Sequence, residues 1–235
     1  MDKVLSPRKY GRRTSIFYIN CMIYHVLNRG VLKRDIVRDD QDRARFVHDL
    51  FVFNDKNPVD ANHRFSNRSS SERQLLVHIY AWCLMNNHYH LLVSPVDDDT
   101  ENVSLFMKKL NGGYAKYFNE KYEVSGYVWQ GKYKKIEIQQ DGHFFHIPYY
   151  IHCNPLDYTH KKWRTGSVAN KKKALEELYK YRWSSFLDYV GVKNFPSVIH
   201  MGFLDDILGS RRAQESTIGT IISHKDKASG ASLLE

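Results

Sequence analysis

The chain has 235 residues, 42% hydrophobic and 14% aromatic, enough for one large domain with extensions. No run of about 18 apolar residues offers a membrane span. The three well-separated cysteines, Cys21, Cys83 and Cys153, lack a Cys-x-x-Cys spacing and so indicate neither a disulfide framework nor a zinc ribbon. A formal net charge of +9 favours an anionic partner, and nucleic acid is the commonest one for such a protein.

In chain order, residues 1–15 read as a basic flexible arm carrying Arg8, Lys9, Arg12 and Arg13. The arm lacks the apolar core of a signal peptide, and the cysteine usage fits a reducing cytoplasm, with the nucleoid the expected place for a basic chain. Ile16 to Leu27 is rich in β-branched and aromatic residues and predicts the first strand. It ends at Asn28-Arg29-Gly30, where glycine is expected for its backbone freedom. Asp39 and Asp40 supply N-cap chemistry. Phe46, Val47, Leu50 and Phe51 recur at helical spacing, so a helix is expected over 40–53.

Residues 54–73 are polar, rich in Asn and Ser and aperiodic, and read as an inserted loop. Leu75 to Met85 predicts a second strand, Asn86-Asn87 a turn, and His88 onward a third strand paired with it as a hairpin. The acidic Asp97-Asp98-Asp99 leads to a helix expected from Ser104 to about Tyr122, with Phe106, Leu110, Tyr114, Tyr117 and Phe118 as its buried stripe. After the loop Gly126 to Gly131 comes a strand over 132–139. A helix capped by Asp141 and closed by Pro155 follows; Pro148 inside it predicts a kink or a late start. Short helices are expected over 171–181 and 201–208, with a tail from about Ser223.

The order strand, helix, hairpin, helix, strand, helix suits an α+β fold of the ferredoxin-like or RRM-like type. Its antiparallel sheet would carry helices on one face, leave the other face open to a ligand, and be followed by a C-terminal helical extension. The expected boundaries are 16–160 for the main domain, with the insertion at about 54–73, then 161–210 for the extension, with tails at 1–15 and 223–235.

Two constellations carry chemistry. Side chains alternate along a strand, so His88 and His90 point one way and Tyr89, Leu91 and Val93 the other. Two imidazoles on one face of a stiff strand can share a metal ion, although paired histidines are also common without function. On the last turn before Pro155, Tyr150 and Asn154 are four apart and share a helix face. A phenol is a possible nucleophile and an amide oxygen a hard ligand; equally, a helical tyrosine is usually packing and Asn154 suits a helix C-terminus. The basic clusters Lys132-Tyr133-Lys134-Lys135, Lys161-Lys162-Trp163-Arg164 and Lys171 to Lys173 mix cations with aromatics, which suits phosphates and stacked bases.

His88-Tyr89-His90 resembles the HUH motif, and Met85 to Val93 resembles its form in the REP-associated tyrosine transposases, within the HUH single-tyrosine transposases of the IS200-like kind. Further blocks agree in register: Tyr24 to Gly30, Asp39 to Phe53, Val128 to Lys134, Tyr150 to Pro155, and Trp183-Ser184-Ser185-Phe186. The resemblance spans roughly 16–210. It implies a single-stranded DNA endonuclease and transposase acting near REP-like hairpins, as monomer or homodimer. Tyr150 would be the nucleophile and form a 5′-phosphotyrosine. His88, His90 and Asn154 would hold a divalent metal, Mg²⁺ or Mn²⁺. The cations expected to contact DNA are Arg12, Arg13, Arg29, Lys132, Lys134 and Lys135. The chain departs from the pattern at Asn86, where proline is common, at Tyr149, where arginine is common, at Pro148, and in the 54–73 insertion. Leu92 two places after His90 argues against a histidine-triad nucleotide hydrolase and a two-histidine phosphoesterase. A related nickase or replication initiator, and a catalytically silent hairpin-binding derivative, are the alternatives.

Overall fold

The computed structural model describes residues 22–58 and 73–224. The arm with Arg12 and Arg13, the start of the predicted first strand, most of the polar insertion and the end of the C-terminal tail lie outside the described residues.

Four strands, β1 (Tyr24–Arg29), β2 (Val77–Leu84), β3 (His88–Pro95) and β4 (Lys134–Glu137), form one antiparallel sheet in the order β2-β3-β1-β4. This is the ferredoxin-like arrangement expected from the element order. The central pair sets the site, because β1 runs beside β3 with Leu27 opposite His90 and Arg29 opposite His88. β4 is shorter than its apolar pattern suggested, with four residues paired to β1.

Helices α1 (Asp40–Val52) and α2 (Thr100–Lys121) pack on each other beneath one face of the sheet. Their stripes, including Phe46, Leu50, Phe106, Leu110 and Tyr114, meet Val26, Tyr89, Leu91 and Val93. Asp39 caps α1 by accepting from the Asp42 amide. α2 begins four residues before its expected start because Asp99 caps it, accepting from the Glu101 amide. Where the two helices meet, buried Asp42 accepts from Lys121 Nζ at 2.7 Å, Tyr117 Oη at 2.9 Å and Tyr122 Oη at 2.7 Å.

The second face is not open. Helix α3 (Asp141–Cys153) lies across β2 and β3, and α4 (Lys171–Lys180), α5 (Phe186–Tyr189), α6 (Gly202–Leu208) and α7 (Arg211–Ile221) build a second core around it. The reason is in the sheet itself, since Ala81, Cys83 and Leu92 are apolar on that face and need cover. Helix α3 runs from Asp141 without the late start predicted at Pro148. Its N-cap is Gln140, not Asp141, and Pro148 is buried within the helix.

The Trp183-Ser184-Ser185 stretch finishes the free edge of β2. Leu84 N–H donates to the Trp183 carbonyl and Ser185 N–H to the Trp82 carbonyl, both at 3.0 Å. Ser185 Oγ also lies 2.9 Å from His152 Nε2, tying α3 to that edge. Gly30 serves proximity, not an unusual backbone angle: its φ is −61°. A Cβ there would strike the Arg34 carbonyl and Ile36. The close approach lets Gly30 N–H donate to the Asn87 carbonyl at 2.8 Å, so the loop after β1 braces the turn before His88.

Candidate active site

Strand alternation sends both His88 and His90 towards α3, where they are 8% and 1% exposed. Each ring has one nitrogen engaged and one unpartnered. His88 Nδ1 lies 2.6 Å from Asn87 Oδ1, an acceptor, so Nδ1 carries the proton and Nε2 the lone pair. His90 Nδ1 lies 2.9 Å from Nε2 of His25 on β1. His25 and His90 are diagonal neighbours across the central strand pair, because His25 is two residues from Leu27, the residue opposite His90. Nε2 of both His88 and His90 is buried without a hydrogen-bond partner.

Burial keeps these rings neutral. It pushes the His88 pKa down to about 3, with Arg29 and Arg164 adding repulsion and the Asn154 amide opposing it. Burial lowers His90 well below the usual imidazole range, helped by His25 and His88. His25 is likewise brought down to about 3, chiefly by burial. Neutral imidazole is the form that binds metals.

Tyr150 reaches the same place from α3. Its ring stands edge-on to His90, with centroids 5.7 Å apart at 90°, and edge-on to His25 at 6.2 Å. Tyr149 points elsewhere: it packs in the second core, beside Thr217 of α7. Asn154, one turn beyond Tyr150, is fully buried. Its Nδ2 donates to the Tyr150 carbonyl at 2.8 Å, so the amide is oriented and its Oδ1 faces away from the helix backbone. That Oδ1 accepts from Arg164 Nη2 at 2.9 Å.

Among the described residues no group of three or more His, Cys, Asp or Glu side chains is arranged for a metal ion. The donor set here is different: two unpartnered neutral imidazole nitrogens and one amide oxygen. It fits a divalent ion that accepts mixed nitrogen and oxygen donors, with water completing its shell.

Three of the expected DNA contacts come together. Arg29, Lys132 and Lys134 line a cleft of about 420 Å³ with Lys33, Asn28 and Gln130. A neighbouring hollow of about 310 Å³ shares Asn28, Gly131 and Lys132 and adds Lys108, Trp129 and Tyr133. Because Arg29 pairs with His88, this cleft opens beside the histidine end of β3. Lys135 does not join it; alternation turns it to the other face, with Nζ 4.8 Å from the centre of the Tyr24 ring.

Sequence reasoning passed over His25, which was read only as part of a strand. The available signal was a lone polar residue between Tyr24 and Val26 on a strand that proves central. Arg164 was read only as one of a basic run.

A four-stranded α+β domain in which a tyrosine helix crosses a pair of strand histidines defines the class. Residues 55–154, which contain His88, His90, Tyr150 and Asn154, match the family model described as "Transposase IS200 like". A solved structure described as "Structure of the REP associates tyrosine transposase bound to a REP hairpin" is similar at 15% identity and a TM-score of 0.44, covering 82% of this chain and 91% of that one. A search of curated proteins returned no match. No described helix is long and apolar enough to cross a membrane.

Proposed function

We propose that the protein cleaves and rejoins single-stranded DNA near hairpins, with Tyr150 as nucleophile. The observation that carries this reading is the edge-on packing of Tyr150 against His90, at 5.7 Å, where two imidazole nitrogens are buried without partners. A buried lone pair with no partner costs free energy, and here that cost falls where helix and strand bring a phenol beside two imidazoles.

His88, His90 and Asn154 would hold a divalent ion. When bound, such an ion supplies charge to a non-bridging phosphate oxygen and polarises phosphorus. The chain's own residues do the rest. Asn87 and His25 hold the proton on Nδ1 of His88 and of His90. The Arg29, Lys33, Lys132 and Lys134 cleft takes the phosphate backbone on the histidine side, and the half-buried Tyr133 offers a face for an unpaired base. Tyr150 Oη gives up its proton and attacks phosphorus. The new Oη–P bond replaces the P–O3′ bond, and the departing 3′-oxygen takes a proton from solvent. Attack by another 3′-hydroxyl reverses the step and joins strands, so no nucleotide cofactor is consumed.

One observation favours a second reading. Tyr150 is only 3% exposed, covered by Trp163 and Arg164, as suits a derivative that binds hairpins without cutting them. A labelled hairpin oligonucleotide, incubated with Mg²⁺ or Mn²⁺ and run on a denaturing gel, separates the two. The nuclease gives a labelled band at protein size that disappears with Tyr150→Phe or chelator. Hairpin binding with no such band establishes the silent derivative.

A further inference from the structure

Arg164 enters the site from a short turn that the rest of the chain holds firmly. Trp163 beside it is 1% exposed and packs on Tyr150, ring centroids 5.7 Å apart. Trp163 Nε1 donates to Asp157 Oδ1 at 2.6 Å. Gly166, with φ +64°, ends the turn in a left-handed conformation. Val168 N–H donates to the Ile222 carbonyl at 2.9 Å, so the end of α7 pins the segment.

The guanidinium is placed with the same care. Nη1 pairs with the Asp157 carboxylate. Nη2 donates to Asn154 Oδ1 at 2.9 Å and lies 3.5 Å from Tyr150 Oη. Its Cζ is 4.5 Å from the Trp163 ring centre and 5.3 Å from that of Tyr150. A cation that served only to anchor the turn would need Asp157 alone. This one extends past its carboxylate to the nucleophile's oxygen and to the amide that orients towards the histidines.

We infer that Arg164 is a catalytic residue of the strand-transfer reaction, a fixed cation that stabilises negative charge on Tyr150 Oη. The inference rests on the proposed tyrosine chemistry. In cleavage, Oη releases its proton to solvent and forms the bond to phosphorus as the P–O3′ bond breaks. In rejoining, Oη is the leaving group and carries the electron pair of the broken Oη–P bond. The charge develops on the same atom in both directions, so one donor aimed at it serves both. Arginine suits the task because its guanidinium keeps its proton and has enough donors to hold Asp157, Asn154 and Oη together. Neither proton nor electron pair moves to Arg164.

The test uses full-length protein with a labelled hairpin oligonucleotide and Mn²⁺, under single-turnover conditions, for wild type, Arg164→Ala, Arg164→Lys and Tyr150→Phe. Hairpin binding in chelator and a thermal melt are measured on the same proteins. Arg164→Ala should lower the adduct-forming rate by about a hundredfold or more, remain folded and still bind hairpin in chelator. Added ethylguanidinium should restore part of the rate to Arg164→Ala and none to Tyr150→Phe. Wild-type rates in Arg164→Ala would overturn the inference and leave the tyrosine chemistry standing. Faster adduct formation would also overturn it, marking the guanidinium as a block over Tyr150. If Arg164→Ala melts out, Arg164→Lys decides. A folded lysine variant that forms adduct faster on addition of ethylguanidinium supports the role; loss of fold in both variants overturns it in favour of a structural anchor. No adduct from wild type would remove the tyrosine chemistry itself and this inference with it.

Discussion

His25 Nε2 lies 2.9 Å from His90 Nδ1, across the central strand pair and buried from solvent. Only one proton can occupy that contact. If His90 is to offer Nε2 to a metal, its proton sits on Nδ1 and points at His25, which then carries its own proton on Nδ1. Removing His25 frees His90 to adopt the other tautomer and to rotate. His25→Ala should therefore weaken Mn²⁺ binding by about 10–100-fold, read by electron paramagnetic resonance titration of the DNA-free protein. Unchanged affinity would detach His25 from the metal site.

Asn87 makes the equivalent contact to His88, at 2.6 Å. The Asn87→Ala variant should lose Mn²⁺ affinity in the same direction. Asn87→Asp keeps an acceptor at that place and should retain more affinity than Asn87→Ala; equal loss in the two would contradict the tautomer argument.

The basic cleft gives a salt-dependent prediction. Lys132 and Lys134 line it beside Arg29, and each phosphate contact adds to the steepness of the log affinity–log salt plot. Lys132→Ala and Lys134→Ala should each reduce that slope by about 1. Lys135→Ala, on the opposite face over Tyr24, should leave it unchanged. Fluorescence anisotropy with a hairpin oligonucleotide across a salt series checks both.

Asp42 joins the start of α1 to the end of α2 and has no exposed surface. Its carboxylate accepts from Lys121, Tyr117, Tyr122 and the Arg38 amide. Asp42→Ala removes the acceptor of the Tyr117 hydroxyl and the Arg38 amide, while Lys121 keeps its ion pair to Asp39 at 2.7 Å, and should cost about 1–3 kcal/mol of stability, measured by denaturant unfolding. A cost near zero would mean the helix pair does not depend on this network.

Asp49 supplies a pH dependence. It is 1% exposed, and burial pushes its pKa up to about 7 against the attraction of Arg45, whose Nε is 2.8 Å from Oδ1. A carboxyl raised in the folded state favours folding when protonated. Its contribution is complete below the ordinary carboxylate range and is lost as pH rises through about 7. Asp49→Asn lacks that loss. The melting temperature of wild type relative to Asp49→Asn should fall between pH 5 and pH 8, by on the order of 5 °C. The other titrating groups are common to both proteins, so a pH-independent difference would refute the assignment.

Much of this protein is legible from short-range rules. A period of two puts His88 and His90 on one side of a strand, and a separation of four puts Tyr150 and Asn154 on one side of a helix. The order of strands and helices is enough for the antiparallel α+β fold, and Asp39 is the cap its position suggested. Helix α7 has no counterpart among the expected elements: Arg211–Ile221 is mostly polar and buries only Gln214, Ile218, Gly219 and Ile221. The strands and α3 are richer in apolar residues and stand out from the sequence for that reason.

The sequence by itself determined which elements form and which side chains share a face, because those depend on local geometry. Only the tertiary structure decided that the second face of the sheet is covered and that His25 meets His90, 65 residues away. It alone also decided that Arg164 reaches both Asn154 and Tyr150. Such contacts depend on how whole elements pack, and no periodicity along the chain records the distance between two elements in space.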